Sequence, residues 1–275
     1  MSKADLHIHT VASDGLLSPT QVVEEAKRLG LSAIAITDHD TVSGIDEAIT
    51  AGKRLGVRVV PAVEINTDYG THEVHILGYF IDWHSEKLAG QLQQLRKARL
   101  DRGRKMVEKL QALGIQVKLE RVLEIASHGS IGRPHLAQAV CEIGAAENMS
   151  DAFNKFLVRG APAYVERTKL TPFDAVTIIA DAGGVAGLAH PGQVGHDDLI
   201  INLVKVGLGA IEVYYGDQDP AITKHYRNTA RKFGLIATGG SDAHGRSPDG
   251  GSGIGNVTVN ESVVDELQAA SRFHL

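Results

Sequence analysis

The sequence predicts an α/β fold built on a parallel sheet and interrupted by one helical insertion. Short apolar runs alternate with amphipathic helical periods on both flanks of the chain, and between about residues 85 and 165 the alternation stops. The apolar runs also end in metal-ligand residue types: Ala-Asp-Leu-His-Ile-His-Thr at 4–10, Ala-Ile-Ala-Ile-Thr-Asp-His at 33–39, Val-Val-Pro-Ala-Val-Glu at 59–64, Val-Ala-Gly-Leu-Ala-His at 185–190 and Ala-Thr-Gly-Gly-Ser-Asp-Ala-His at 237–244. In parallel barrels the active site is built at the carboxyl ends of the strands, which is where these residues fall.

Taken in order, a first strand near 4–9 leads to Ser18-Pro19, an N-cap and a preset first helical residue. Val22, Val23, Ala26 and Leu29 then form one apolar face and Gly30 a stop. The unit repeats with a strand at 33–37, a helix at about 43–55 closed by Gly56, and a strand at 57–63. Residues 73–80 read as another strand, reached through the turn-rich Asn66-Thr67-Asp68-Tyr69-Gly70, which suggests a local hairpin. Four helical periods fill the insertion, at about 88–113, 119–126, 134–143 and 149–157. Helices then alternate with strands again: helix 172–182, strand 185–189, helix 199–206, strand 210–213, helix 221–233, strand 235–238 and a last helix near 263–270.

With 275 residues, 43% of them hydrophobic, the chain can bury a full core as one large barrel or two smaller domains. A net charge of -5 argues against a groove for long nucleic acid, which needs many Lys and Arg contacts. The lone Cys141 cannot form an internal disulfide, so any metal ligands must be His, Asp and Glu, and a reducing cytoplasm is the expected location. No apolar leader precedes the first strand and no run reaches the ~20 residues of a membrane span, so neither secretion nor membrane insertion is expected.

His7 and His9 are two apart on a strand and therefore share a face, which makes a metal pincer. With Asp14, His39, Glu64, His75, His190, Asp242 and His244 they make nine candidate ligands, more than one ion needs. Bridging carboxylates would spread them over two or three divalent ions, and mixed imidazole and carboxylate suits Mn, Fe or Zn. Such a cluster can deprotonate a water, polarise a phosphoryl oxygen and stabilise a leaving alkoxide, so phosphoester hydrolysis is its natural use.

Each residue also has a plainer reading. Asp14 can cap a turn, and His75 lies mid-strand where it can be a buried polar residue. Asp38 and Asp40 either orient ligands or cap the helix after them. Arg133 and Arg159 read as surface charges, and the mixed run 96–109 as a solvated helix face. His72, His84, His128, His196, His225 and His274 default to structural hydrogen bonding. The glycines from Gly239-Gly240 to Gly255 lack a following Gly-Lys-Ser/Thr and read as a loop needing close backbone approach.

Asp5-Leu6-His7-Ile8-His9-Thr10, Asp14-Gly15, Thr37-Asp38-His39-Asp40, Glu64, His75, His190-Pro191 and Ser241-Asp242-Ala243-His244 together resemble the polymerase and histidinol phosphatase (PHP) family. The resemblance covers about residues 4–80 and 180–245. It implies a distorted (β/α)7 barrel at 1–85 and 166–275 with a trinuclear metal centre, manganese first among the candidate ions. His7, His9, Glu64 and Asp242 would share one ion, Glu64, His75 and Asp or His partners a second, and Asp14, His39, His190 and His244 would surround the others. Residues 86–165 would be a helical subdomain covering the substrate.

Within the family the chain looks most like the bacterial branch linked to the tryptophan operon, whose insertion carries Gly-Arg-Pro-His, here Gly132-Arg133-Pro134-His135. Members of that branch remove the 3′-phosphate of nucleoside 3′,5′-bisphosphates, and some trim short 5′-phosphorylated RNA. The resemblance therefore implies a 3′-phosphatase using a hydroxide bridged between ions, with those two substrate types and no obligate protein partner. A guanidinium fork suits phosphate, and a helix start favours an anion, so Ser130, Arg133, His135 and Arg159 are assigned to the substrate. His135 is also the candidate for protonating the leaving oxygen. Competing readings are histidinol phosphatase or another small phosphomonoesterase, deamination or amide hydrolysis, and a metal-stabilised nucleotide-binding module without turnover.

Overall fold

Seven strands curl into a distorted barrel: β1 (Lys3–Ile8), β2 (Ala33–Ile36), β3 (Arg58–Tyr69), β4 (His72–Tyr79), β5 (Val185–Leu188), β6 (Leu208–Tyr215) and β7 (Ile236–Gly240). These come from a computed structural model that describes residues 2–70, 72–126, 131–166, 170–195, 197–216, 218–245 and 251–273. Neighbours in the chain are neighbours in the sheet, and a short β8 (Val259–Asn260) lies antiparallel on the outer edge of β1. No strand was expected at 259–260; its two residues are too few to show an alternation. The sheet closes where Asp242 N donates to His7 O at 2.8 Å and His9 N donates to Ala243 O at 2.9 Å.

Among the barrel strands only β4 runs against the others, antiparallel to both β3 and β5. The start of β4 therefore shares an edge with the ends of the parallel strands. The segment expected to be a turn, Asn66 to Tyr69, is instead strand, because β3 stays paired with β4 out to Tyr69 opposite His72. The reversal is tight, with Gly70 in the left-handed region at φ 60°.

The helices outside the insertion are α1 (Pro19–Arg28) and α2 (Ile45–Leu55) before it, and α7 (Pro172–Asp181), α8 (Pro191–Val194), α9 (Asp197–Lys205), α10 (Pro220–Phe233) and α11 (Ser262–Ala270) after it. Helix α1 opens with a Ser18–Gln21 capping box, and α2 ends on Gly56 at φ 71°, which only glycine adopts cheaply. The insertion folds as α3 (Glu86–Ala112), α4 (Leu119–Ile125), α5 (Arg133–Glu142) and α6 (Met149–Ala152), the last running into a wider π-helical turn over Phe153–Leu157.

Burial follows strand alternation. Ala33 and Ala35 of β2 join Leu6, Val60, Ala62, Leu77, Tyr79 and Ala210 in one cluster drawn from β1, β2, β3, β4 and β6, as the filling of a closed sheet should be. Ile34 and Ile36 point the other way, beneath α1 and α2. The insertion has an apolar cluster of its own around Met106, Leu110, Leu136, Val140 and Leu157. No helix among the described residues is long and apolar enough to cross a membrane.

Candidate metal centre

The nine candidate ligands come from separate places in the chain and converge on one edge of the barrel. His7 is on β1 and His9 just past its end, His39 follows β2, Glu64 lies on β3, His190 follows β5, and Asp242 and His244 follow β7. His75 reaches the same edge from the first half of β4 because that strand is reversed.

Glu64 lies at the centre. Its Oε2 is 3.3 Å from His7 Nε2, 3.2 Å from His9 Nε2 and 3.1 Å from His39 Nδ1, while its Oε1 is 2.8 Å from His75 Nδ1 and 3.3 Å from His190 Nε2. Asp242 Oδ1 is 3.3 Å from His7 Nε2 and 3.0 Å from His9 Nε2. Asp14 lies 3.7 Å from both His9 and His39 and 3.4 Å from His244. Donor atoms within 4.8 Å of one another form three overlapping sets: His7, His9, Glu64 and Asp242; His39, Glu64 and His75; and His9, Asp14, His39 and His244. Two details differ from the expected partition: His9 also joins the Asp14 set, and His190 faces Glu64 instead of that set, while His39 serves as the His partner of Glu64 and His75.

Whether these residues fit metal ions can be judged from their unpaired atoms. Buried His7 Nε2, both ring nitrogens of His9, Asp14 Oδ1, Glu64 Oε2 and His190 Nδ1 have no hydrogen-bond partner. Leaving so many polar atoms unmatched costs about 1–3 kcal/mol each, so the set is built for something that satisfies lone pairs. A divalent ion does so, and imidazole with carboxylate is its usual donor set.

The electrostatics agree. Burial disfavours the His9 imidazolium, yet the close-lying carboxylates of Asp242 and Glu64, at 3.0 and 3.2 Å, outweigh it and push the ring up to about 10. Burial likewise opposes the His75 imidazolium, but Glu64 and Glu73 lift that ring to about 9. Burial would raise Asp14 and Glu64, but the surrounding imidazoles hold both well below the usual carboxylate range. The centre therefore keeps its carboxylates ionised and draws cations, protons or metal ions, to them.

A second ring of residues fixes this arrangement; Asp38 and Asp40 were among its candidates in the sequence, whereas Glu212 and Asp5 escaped. Glu212 on β6 is fully buried, takes His7 Nδ1 at 3.0 Å and accepts from His190 N at 2.7 Å. A lone glutamate inside the apolar run Ala-Ile-Glu-Val was the available signal. Asp5 accepts from Ser241 and Gly255, tying β1 to the segments after β7, and burial raises its carboxyl to about 6 against those bonds. Asp38 accepts from Thr10 and Ser13 and so clamps the loop carrying Asp14. Asp40 accepts from Asn66 N and takes Arg99 at 2.6 Å. Helix α2 has no side-chain cap, which removes the capping alternative for both aspartates. Asp40, His190 and Asp242 all have positive φ, at 51°, 28° and 52°, a conformation costly outside glycine and concentrated here at the ligand edge.

Beside the centre lies a cavity of about 150 Å³. Asp14, His39, Glu73 and His75 line it from the barrel; Arg99, Arg102, Met106, Arg133 and Phe153 line it from the insertion. Arg99 and Arg102 lie in the run expected to be a solvated face; helix α3 turns them inward. Arg133 bonds Glu73 at 2.6 Å. Arg159 does not line this cavity: it pairs with Glu166 at 2.8 Å and lies over Tyr164, whose ring also meets Arg102. His135 is buried at the start of α5 and its Nδ1 accepts from Gly132 N at 3.0 Å, so a neutral ring carries its proton on Nε2. Burial, with Arg99 and His244 nearby, lowers its pKa, which argues against a role as an acid proton source. Ser130, like His128, His196 and His274, lies outside the described residues.

The model of the PHP domain matches residues 5–88. A 3′,5′-nucleoside bisphosphate phosphatase from Chromobacterium violaceum is 35% identical over 263 residues, covering 94% of this chain and 92% of that protein. The chain belongs to the PHP family. A 5′-3′ exoribonuclease from Salmonella typhimurium is 36% identical over 254 residues, covering 89% of this chain and 86% of that protein. Among solved structures, a Bifidobacterium adolescentis protein assigned as a metal-dependent phosphoesterase superposes with a TM-score of 0.89 at 31% identity, over 97% of this chain and 96% of that one. This PHP protein is a metal-dependent phosphoesterase.

Proposed function

We propose that this chain removes the 3′-phosphate of nucleoside 3′,5′-bisphosphates and leaves the nucleoside 5′-monophosphate. One observation carries the reading: a single cavity joins the ligand cluster to Arg99, Arg102 and Arg133, so once ions occupy the cluster a substrate with two phosphates meets positive charge at both ends. We assign His7, His9, Asp14, His39, Glu64, His75, His190, Asp242 and His244 to holding two or three divalent ions, with manganese the first ion to test. Bound there, such ions supply an activated water and neutralise charge on the phosphoryl oxygens.

The chain's own residues do the remaining work. Arg133 and the α3 arginines hold the non-reacting phosphate, which positions the reacting one against the cluster. Phe153 and Met106 give the cavity an apolar wall suited to a base. His135, neutral, serves as a hydrogen-bond donor through Nε2. The insertion, residues 86–165, acts as the substrate-covering subdomain.

A second cavity of about 290 Å³, lined by the cations Lys97, Arg102 and Lys105 and by the carboxylates Asp101 and Glu166, adjoins the first at Arg102. It gives a following nucleotide somewhere to go, and favours short 5′-phosphorylated oligonucleotides as a second substrate. The test is phosphate release from adenosine 3′,5′-bisphosphate by the Mn-loaded protein, with the product identified by chromatography. Formation of 5′-AMP supports the reading. Release from histidinol phosphate alone would overturn it.

A further inference from the structure

We infer that Glu73 is a positioning residue that sets the spacing between the metal-ligand group and the guanidinium holding the second phosphate. Each oxygen of this carboxylate is given to a different partner: Oε1 is 3.0 Å from His75 Nε2, and Oε2 accepts from Arg133 Nη2 at 2.6 Å. Glu73 and His75 are two apart on β4 and share a face, whereas Arg133 begins α5 of the insertion. One rigid group thus ties a candidate ligand on the barrel to a substrate anchor on the insertion.

The two bonds have different consequences. An ionised carboxylate only accepts, so it requires a proton on His75 Nε2. That leaves the lone pair of a neutral ring on Nδ1, the nitrogen 2.8 Å from Glu64 and turned to the ligand group. At the other end Arg133 gives one donor to Glu73, rests near the Phe153 ring and lines the cavity with the rest of its fork. A long side chain held in this way has already lost the rotamer freedom that binding would otherwise cost. Removing Glu73 also removes a negative charge beside the incoming phosphate. The inference requires that lost positioning outweighs relieved repulsion, and this decides the sign of the result.

The Arg133 half of the inference rests on the bisphosphate reading; the His75 half does not. Metal affinity of wild type, Glu73→Gln and Glu73→Ala would be measured by competition with a chromophoric chelator, and folding checked by circular dichroism. At saturating metal, KM would be measured for adenosine 3′,5′-bisphosphate and for p-nitrophenyl phosphate. Metal affinity should fall by roughly 10–100-fold in Glu73→Ala and by less in Glu73→Gln, whose amide oxygen still accepts one bond. KM should rise by about 3–10-fold for the bisphosphate and by less for the aryl phosphate. In an Arg133→Ala background, where only the relieved repulsion is left, Glu73→Ala should not raise the bisphosphate KM above the value that Arg133→Ala gives, and a further rise would overturn the Arg133 half.

Unchanged metal affinity in both variants would overturn the His75 half. A bisphosphate KM that falls, or rises equally for both substrates, would overturn the Arg133 half. Wild-type protein that takes up metal but releases no phosphate from the bisphosphate overturns the substrate reading and with it the Arg133 half, while chelator competition still judges Glu73 against His75.

Discussion

At the scale of single residues, sharing is what distinguishes the candidate ligands. Glu64, His9 and His39 each stand in two of the three donor sets, whereas His75 stands in one. Glu64→Ala should therefore lower the number of bound ions by more than one, and His75→Ala by about one, as read by elemental analysis of dialysed protein. Equal losses would mean that Glu64 does not bridge. Protons should move as well. With pKa values near 10 and 9, His9 and His75 carry protons at pH 7 in the metal-free protein, and ligation requires them neutral. Metal uptake at pH 7 should release protons, and affinity should rise with pH until those values are passed. Calorimetry in two buffers of different ionisation enthalpy measures this; equal apparent enthalpies would show rings already neutral.

At this same scale the sequence was informative about ligands and poor about their supports. His7 and His9 announce themselves by their spacing, and His39, His190 and His244 by ending apolar runs. Asp5, Glu73 and Arg99 have no such signature and Glu212 only that of a lone charge in an apolar run, because what matters is the residue each one faces in the folded chain. Arg99 shows why: a helical charge run looks solvated until it is known which face meets another element.

At the scale of elements, closure of the barrel depends on Gly240, where a Cβ would come within 2.4 Å of both His7 N and His7 Cβ. Overpacking of this kind typically costs about 1–3 kcal/mol, and here it would also move a ligand-bearing strand. Gly240→Ala should lower the urea midpoint and weaken metal binding together, whereas a surface change such as Gly90→Ala on α3, with open space around it, should do neither. The reversed β4 is the element least legible beforehand. A run of alternating residues gives no direction, so His75, though a candidate ligand, could equally be read as a buried mid-strand residue until pairing with β3 placed it at the ligand edge.

For the whole molecule, the ligand cluster makes stability depend on metal. Buried carboxylates and imidazoles drawn from β1, β3, β4 and the segments after β2, β5 and β7 can be satisfied together only in the folded chain, so ions that bind it should stabilise it by about 2.7 kcal/mol at 100 times Kd. At roughly 2–4 °C per kcal/mol for chains slightly smaller than this one, chelation should lower the melting temperature by about 5–10 °C, measured by scanning calorimetry with and without Mn. No shift would mean that the cluster does not hold ions in the native state.

Local periodicity, capping residues and glycine stops determined the α/β alternation and the helical insertion, and the residue types ending the apolar runs marked most of the candidate ligands, because these are short-range properties of the chain. Only the tertiary structure decided the direction of β4, the central place of Glu64, the supporting carboxylates, and the inward turn of Arg99 and Arg102 toward the cavity. Those depend on which residues meet across sequence separations as long as the 205 positions between His7 and Glu212, and no local pattern encodes such a meeting.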